Sequence, residues 1–127
     1  MKFIWVALFM LTFNVNAKCQ ATEDSVKAAI NMLFTSMKTS DSSLLVSCFA
    51  DSAILQTIMQ NKQGGIVVKN ESIKSFAKSV SSASKGSLDE RIVFDVIKTD
   101  GPLAIVWTPY SFYYNGNFSH CGVILFN

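Results

Sequence analysis

The feature that most constrains the fold is a pair of long, aromatic-rich segments near the end of this 127-residue chain. The segments run from Leu103 to Tyr114 and from Phe118 to Phe126, and Asn115-Gly116 joins them. Asn-Gly tolerates the positive φ angles that a two-residue hairpin turn demands. We therefore predict an antiparallel hairpin that gathers several large rings with the only histidine, His120.

The N-terminal segment, residues 1–17, has the pattern of a secretory signal peptide. A lysine in second position precedes the almost wholly apolar residues 3–13, and Val15-Asn16-Ala17 offers small or modest side chains for cleavage. An apolar run of this length is well short of the ~20 residues needed to span a bilayer. We predict a secreted or periplasmic protein with no stable membrane anchor after cleavage, in which residues 18–127 form one domain.

The charge distribution gives no sign of a nucleic-acid partner. The 11 basic and 9 acidic side chains are spread along the chain without clusters of either sign. A nucleic-acid site would need basic residues gathered on one face. We expect no nucleic-acid partner and no electrostatic attraction to a membrane surface.

The three cysteines, Cys19, Cys48 and Cys121, are an odd number for an exported protein. At least one is therefore unpaired or bonded to another chain, and the pattern leaves their redox states open. Cys48 lies in an apolar helical pattern, which favours a small buried hydrophobe. With one histidine and no CxxC pair, we expect no metal site and no cofactor.

Hydrophobic periodicity predicts three helices. Apolar residues recur at three- and four-residue steps after Thr22, a plausible N-cap; they are Val26, Ala29, Ile30, Leu33, Phe34 and Met37. A shorter helix is predicted at about Ser43 to Ala50, and a third after an N-cap at Asn70.

The remaining segments predict antiparallel strands. Residues 53–59 and 66–68 flank Gly64-Gly65 as a hairpin, and residues 88–99 alternate before the aromatic hairpin. Pro109 lacks an N–H and should mark a bulge, a bend or an edge. The element order predicts an α+β fold with a bent antiparallel sheet and about three helices on one face.

This order resembles the cone fold of the nuclear-transport-factor-2-like superfamily, also called SnoaL-like or cystatin-like. Five phrases resemble its secreted bacterial lumazine-binding branch: Phe49-Ala50-Asp51-Ser52-Ala53, Leu88-Asp89-Glu90-Arg91, Asp100-Gly101-Pro102-Leu103-Ala104, Val106-Trp107-Thr108-Pro109-Tyr110 and Phe118-Ser119-His120-Cys121-Gly122. The resemblance implies a cone-shaped domain with helices on the concave face of the sheet, a pocket for a small hydrophobic or heterocyclic ligand, and a homodimer. It also implies that the domain lacks the family's usual final strand, which follows the position of Phe126.

The hairpin register decides which side chains share a face. A two-residue turn predicts that Tyr113 faces Phe118 and that Ser111 faces His120. A register change of one residue would pair His120 with Phe112 instead. The candidate ligand-binding residues are Trp107, Tyr110, Ser111, Tyr113, Phe118, His120 and Arg91.

Two residues are candidates for catalysis. His120 could act as a general acid or base, since histidine titrates near neutral pH, or it could bond a strand neighbour. Asp95 could orient His120, although a solvated outer face explains its alternation with apolar residues more simply. Arg91 could bind an anionic group or form a local ion pair. Trp107, Tyr110 and Phe112 could stack on a flat heterocycle such as a pterin or pack in the core.

Three functions are compatible with these residues. The leading hypothesis is a non-catalytic small-molecule-binding domain, because no complete catalytic constellation is present. The second is an isomerase-, dehydratase- or hydrolase-like enzyme that uses His120 with Asp95 or a tyrosine. The third is a dimerising module that joins another chain through its sheet face or an unpaired edge.

Overall fold

The computed structural model describes residues 16–127, with side chains from residue 22 onward. The predicted signal peptide lies almost wholly outside the described residues. The described elements are α1 (Asn16–Thr39), α2 (Ser42–Ser47), β1 (Leu55–Gln60), β2 (Ile66–Glu71), α3 (Ile73–Ser81), β3 (Leu88–Ile92), β4 (Val96–Asp100), β5 (Leu103–Tyr114) and β6 (Asn117–Phe126). The predicted α+β class with antiparallel pairing and three helices is confirmed, but the strands form two separate sheets, of two and four strands, where one bent sheet was predicted.

Two predicted helix starts are wrong. Helix α1 begins at Asn16, so Thr22 lies inside the helix as an exposed residue, where a polar side chain remains solvated. Helix α3 is capped by Ser72, whose hydroxyl accepts a 3.1 Å hydrogen bond from the Ser75 N–H. Asn70 instead belongs to β2, because its backbone pairs with β1.

Strand β5 is the centre of the larger sheet. It pairs with β6 along one edge and with β3 and β4 in succession along the other, and every pairing is antiparallel. The turn between β5 and β6 has the predicted geometry, with φ angles of 50° at Asn115 and 80° at Gly116. The hairpin predicted from Asn115-Gly116 is therefore confirmed.

Strands β3 and β4 are two parts of one bent strand. The Val93 N–H donates to the Pro109 carbonyl at 2.9 Å, and the Asp95 N–H donates to the Trp107 carbonyl at 3.2 Å. Between these two strands β5 contributes one residue fewer than its partner, which defines a β-bulge. The bulge lies opposite Pro109, which has no N–H to complete a regular ladder. The irregularity predicted at Pro109 is confirmed.

The core lies between the helices and one face of the larger sheet. Its buried apolar residues are Ile30, Leu33, Phe34, Met37, Leu45, Ala77, Val80 and Val106. The Phe34 ring meets the Phe126 ring edge-on, with centroids 6.2 Å apart. Thr108 is also buried, and its hydroxyl donates to the Ile124 carbonyl at 2.8 Å, so this polar group is satisfied.

The hairpin predicted at Gly64-Gly65 is confirmed as β1 and β2, and these two strands form a sheet separate from the larger one. Nearly all of their residues are exposed, including Ile58 and Ile66. Among the described side chains, Cys48 and Cys121 are free thiols.

We expect Leu45→Ala to lower the free energy of unfolding by about 2–5 kcal/mol, because it opens a cavity in a fully buried position. Val46→Ala is the matched control, since Val46 is the next residue of α2 and is 47% exposed. That control should cost less than about 0.5 kcal/mol. Urea unfolding of both variants checks the prediction, and equal losses would contradict the described core.

Candidate functional site

One face of β5 changes from buried to open along the strand. Val106 and Thr108 are buried beneath the helices, whereas Tyr110 and Phe112, farther along the same face, are half-buried. On β6, the exposed His120 pairs with Phe112 and lies on this face. We call the open part the aromatic end, formed by Tyr110, Phe112, His120, Gly122 and the neighbouring Glu90 of β3.

The rings of the aromatic end contact one another. The His120 ring lies 5.2 Å from Phe112 and 5.8 Å from Tyr110, measured between centroids. The Ser119 hydroxyl lies within hydrogen-bond distance of His120 Nδ1, at 3.1 Å. A Cβ atom at Gly122 would lie 2.9 Å from the Tyr110 ring and hydroxyl, so the glycine makes room for the tyrosine. These contacts build a continuous aromatic wall.

Glu90 is the residue of this site that the sequence interpretation missed. It pairs with Phe112 across β3 and β5, and it lies between Leu88 and Ile92, whose side chains pack against the core. Within residues 22–127 its carboxyl makes no hydrogen bond and no ion pair. Burial raises the pKa of Glu90 to about 7.

The pKa of the Tyr110 phenol is also raised at the aromatic end. Burial raises the pKa of Tyr110, and the negative charges of Glu90 and Cys121 raise it further. The aromatic end therefore combines a carboxyl that titrates near neutral pH, a protonated phenol and an imidazole. Such a group can hold a ligand through rings and hydrogen bonds, and it can also exchange protons.

The sequence pattern of β3 could have indicated that Glu90 faces the core. Leu88 and Ile92 occupy the apolar positions of a two-residue period, and Glu90 occupies the position between them. A charged residue at an apolar position is the informative exception in such a pattern. The sequence interpretation named Arg91 of this strand as a candidate and did not name Glu90.

An ion-pair network joins Asp89 and Arg91, which alternate with Glu90 along β3, to Lys38 of α1. The Asp89 carboxylate binds Lys38 Nζ at 2.9 Å and an Arg91 guanidinium nitrogen at 3.0 Å. The hydrogen bond from Lys38 is the largest cause that lowers the pKa of Asp89, and Arg91 adds to it. The Arg91 guanidinium also lies 4.0 Å above the Tyr113 ring. The structure thus shows the local ion pair that was the alternative to anion binding by Arg91.

The predicted register is confirmed beside the turn and wrong beyond it. Tyr113 pairs with Phe118, as predicted, and their rings are 5.8 Å apart. Ser119 is then an extra residue on β6, so the next pair is Phe112 with His120. Because one inserted residue reverses the side-chain alternation, His120 and Tyr113 lie on opposite faces.

The remaining candidate residues from the sequence lie on different faces of the sheet. Ser111 and Trp107 lie on the outer face with Arg91, whereas Tyr110 lies with His120. Asp95 is exposed in the bulge beside Trp107, about 17 Å along β5 from the position that pairs with His120. The structure does not bring Asp95 to His120.

A concave surface away from the aromatic end lies between α2 and α3. It is an open groove of about 840 Å³, lined mainly by serines and lysines: Ser42, Ser43, Val46, Ser72, Lys74, Ser75, Ala77, Lys78 and Ser81. The Ser72 hydroxyl caps α3 and the Ser81 hydroxyl donates to the Lys78 carbonyl. This groove contains none of the rings or carboxyls of the aromatic end.

Comparisons with known protein families, with curated proteins and with solved structures gave no match. No helix in the described range 16–127 is both long and apolar enough to cross a membrane. The described side chains include no group of three or more histidine, cysteine, aspartate or glutamate residues that could hold a metal ion.

We expect Glu90→Gln to stabilise the protein more at pH 8 than at pH 5. The folded-state pKa of about 7 lies above the usual glutamate value, so the wild type loses stability as the pH rises from about 5 to 8. The glutamine variant lacks this loss and should be more stable by about 1–3 kcal/mol at pH 8. Urea unfolding at both pH values measures the difference, with Glu71→Gln as control. Parallel pH profiles for wild type and Glu90→Gln would contradict the assigned burial.

We expect Asp89→Asn to lower the free energy of unfolding at pH 7 by about 0.5–1 kcal/mol, because its cationic partners are largely exposed. The folded-state pKa of Asp89 is lowered, so its contribution is present above pH ~4 and is lost on further acidification. The difference from wild type should therefore shrink in acid. Asp95→Asn removes one exposed charge as a control, and an undiminished difference at low pH would argue against the ion pair.

Proposed function

We propose that the chain is an exported small-molecule-binding domain of the lumazine-binding, cone-fold type, and that its ligand contacts the aromatic end. The α+β architecture, the strand bulges that bend the sheet and the helices on one face support this proposal. So do the sequence phrases that resemble the family.

The observation that carries the proposal is the unpaired Glu90 carboxyl beside a wall of rings. Burial of a carboxyl without a partner is costly, and such groups are concentrated at functional sites. The exposed His120 opens this part of the face to solvent, so a small molecule can reach it. Apolar surface with a few convergent polar groups is typical of small-molecule sites.

An acid–base enzyme is the second candidate, and the pKa of Glu90 favours it. A general base is most effective when its pKa lies near the working pH. Glu90, with Tyr110 and His120 on the same face, would take the place that the sequence interpretation gave to Asp95. In this case Glu90→Gln would abolish turnover while ligand binding persists, whereas a purely binding domain would show no turnover at all.

We expect His120→Ala to weaken ligand binding at least tenfold, because it removes one ring of the wall. A panel of flavin, pterin, steroid and polyketide-like compounds can be screened by thermal shift, since a ligand at 100 times its dissociation constant stabilises the folded state by ~2.7 kcal/mol. Phe118→Ala is the matched control, as it removes an exposed ring of β6 on the opposite face. The proposal would be refuted by a panel without a stabilising compound, or by equal losses in the two variants.

A further inference from the structure

We propose that the ligand of the aromatic end is an organic cation, with its charge against the Glu90 carboxyl and its apolar part against Tyr110 and Phe112. This inference rests on the proposed binding function and adds the chemical class of the ligand.

The first argument is the missing counter-charge of Glu90. The basic side chains of Lys38 and Arg91 lie beside β3, and both bind Asp89, the residue that precedes Glu90. An ionised Glu90 therefore lies between the core residues Leu88 and Ile92 without an internal partner. A ligand cation would supply the missing charge, whereas an anion would be repelled.

The second argument is the set of rings around the carboxyl. Phe112 is the cross-strand partner of Glu90, and Tyr110 is close enough for the charge of Glu90 to raise its pKa. Directly opposed side chains on antiparallel strands have Cβ atoms about 5 Å apart. Ring faces attract cations through their quadrupoles, most strongly where water is partly excluded. A carboxyl and aromatic rings at this spacing favour a protonated or quaternary amine.

The third argument is the exposure gradient across the sheet. Glu90 on β3 and Phe112 on β5 are half-buried, while His120 on β6 is exposed. A ligand entering beside His120 would pass over the Phe112 ring before its charged end reached Glu90. The arrangement suits an elongated molecule with an apolar body and a terminal cation.

The test uses three probes that share a phenylbutyl body: 4-phenylbutylamine, 4-phenylbutanol and 4-phenylbutyrate. Binding to the full chain is followed by NMR through the His120 imidazole and the Gly122 amide. We expect the amine to bind about tenfold more tightly than the alcohol, and the butyrate to bind most weakly. In Glu90→Gln the preference for the amine should disappear. Asp95→Asn removes the same charge from an exposed bulge and should leave the preference unchanged.

The possible results test the cationic ligand and the binding function separately. Equal binding of amine and alcohol, or tighter binding of the butyrate, would overturn the cationic ligand while leaving a binding site at the aromatic end. No response of His120 or Gly122 to any probe would overturn both. Loss of the amine preference in Asp95→Asn would show attraction by net charge alone and would also overturn the inference. Phe112→Leu provides a second variant, because it removes a ring while keeping Glu90, and should reduce amine binding.

Discussion

The pairing of β5 on both of its edges is the constraint on which the arrangement of the larger sheet depends. The residues from Val106 to Tyr114 pair with β6, and all of them except Thr108 and Pro109 also pair with β3 or β4; paired residues share a face. Once Val106 and Thr108 are buried against the helices, the alternation assigns every other side chain of β5 to the core face or the outer face. The bulge at Ser119 then decides that the imidazole of His120 joins the core face.

The pairing of β5 places apolar core residues and ionisable residues on one continuous face of the sheet. The core face begins with closely packed apolar residues and ends with Tyr110, Phe112, His120 and Glu90. Two adjacent carboxyls of β3 illustrate the effect, because alternation sends them to opposite faces. Asp89 finds two cations and its pKa falls, whereas Glu90 finds aromatic and aliphatic neighbours and its pKa rises. The unpaired Glu90 carboxyl distinguishes this end of the face from the closely packed apolar part.

The predictable parts of the structure follow from local chemistry. Asn115-Gly116 fixed the two-residue turn, and the predicted third helix is present as α3. Pro109 indicated an irregular ladder because it has no N–H. The predictions that failed depended on distant strands: the extra residue at Ser119 could not be placed without knowing which β5 residues its neighbours pair with. The start of α3 failed for a related reason, since Asn70 can cap a helix but here completes the ladder between β1 and β2.

The sequence by itself determined the α+β class, the hairpins, the three helices and the collection of rings and His120 on one piece of sheet. These properties depend on periodicity, turn conformations and hydrogen-bonding capacity, which are local to the chain. Only the tertiary structure decided that His120 lies with Tyr110 and Phe112, that Asp95 lies elsewhere, and that Glu90 is half-buried without a partner. The reason is that side-chain facing reverses with a single-residue change in strand register, while burial depends on elements distant in sequence.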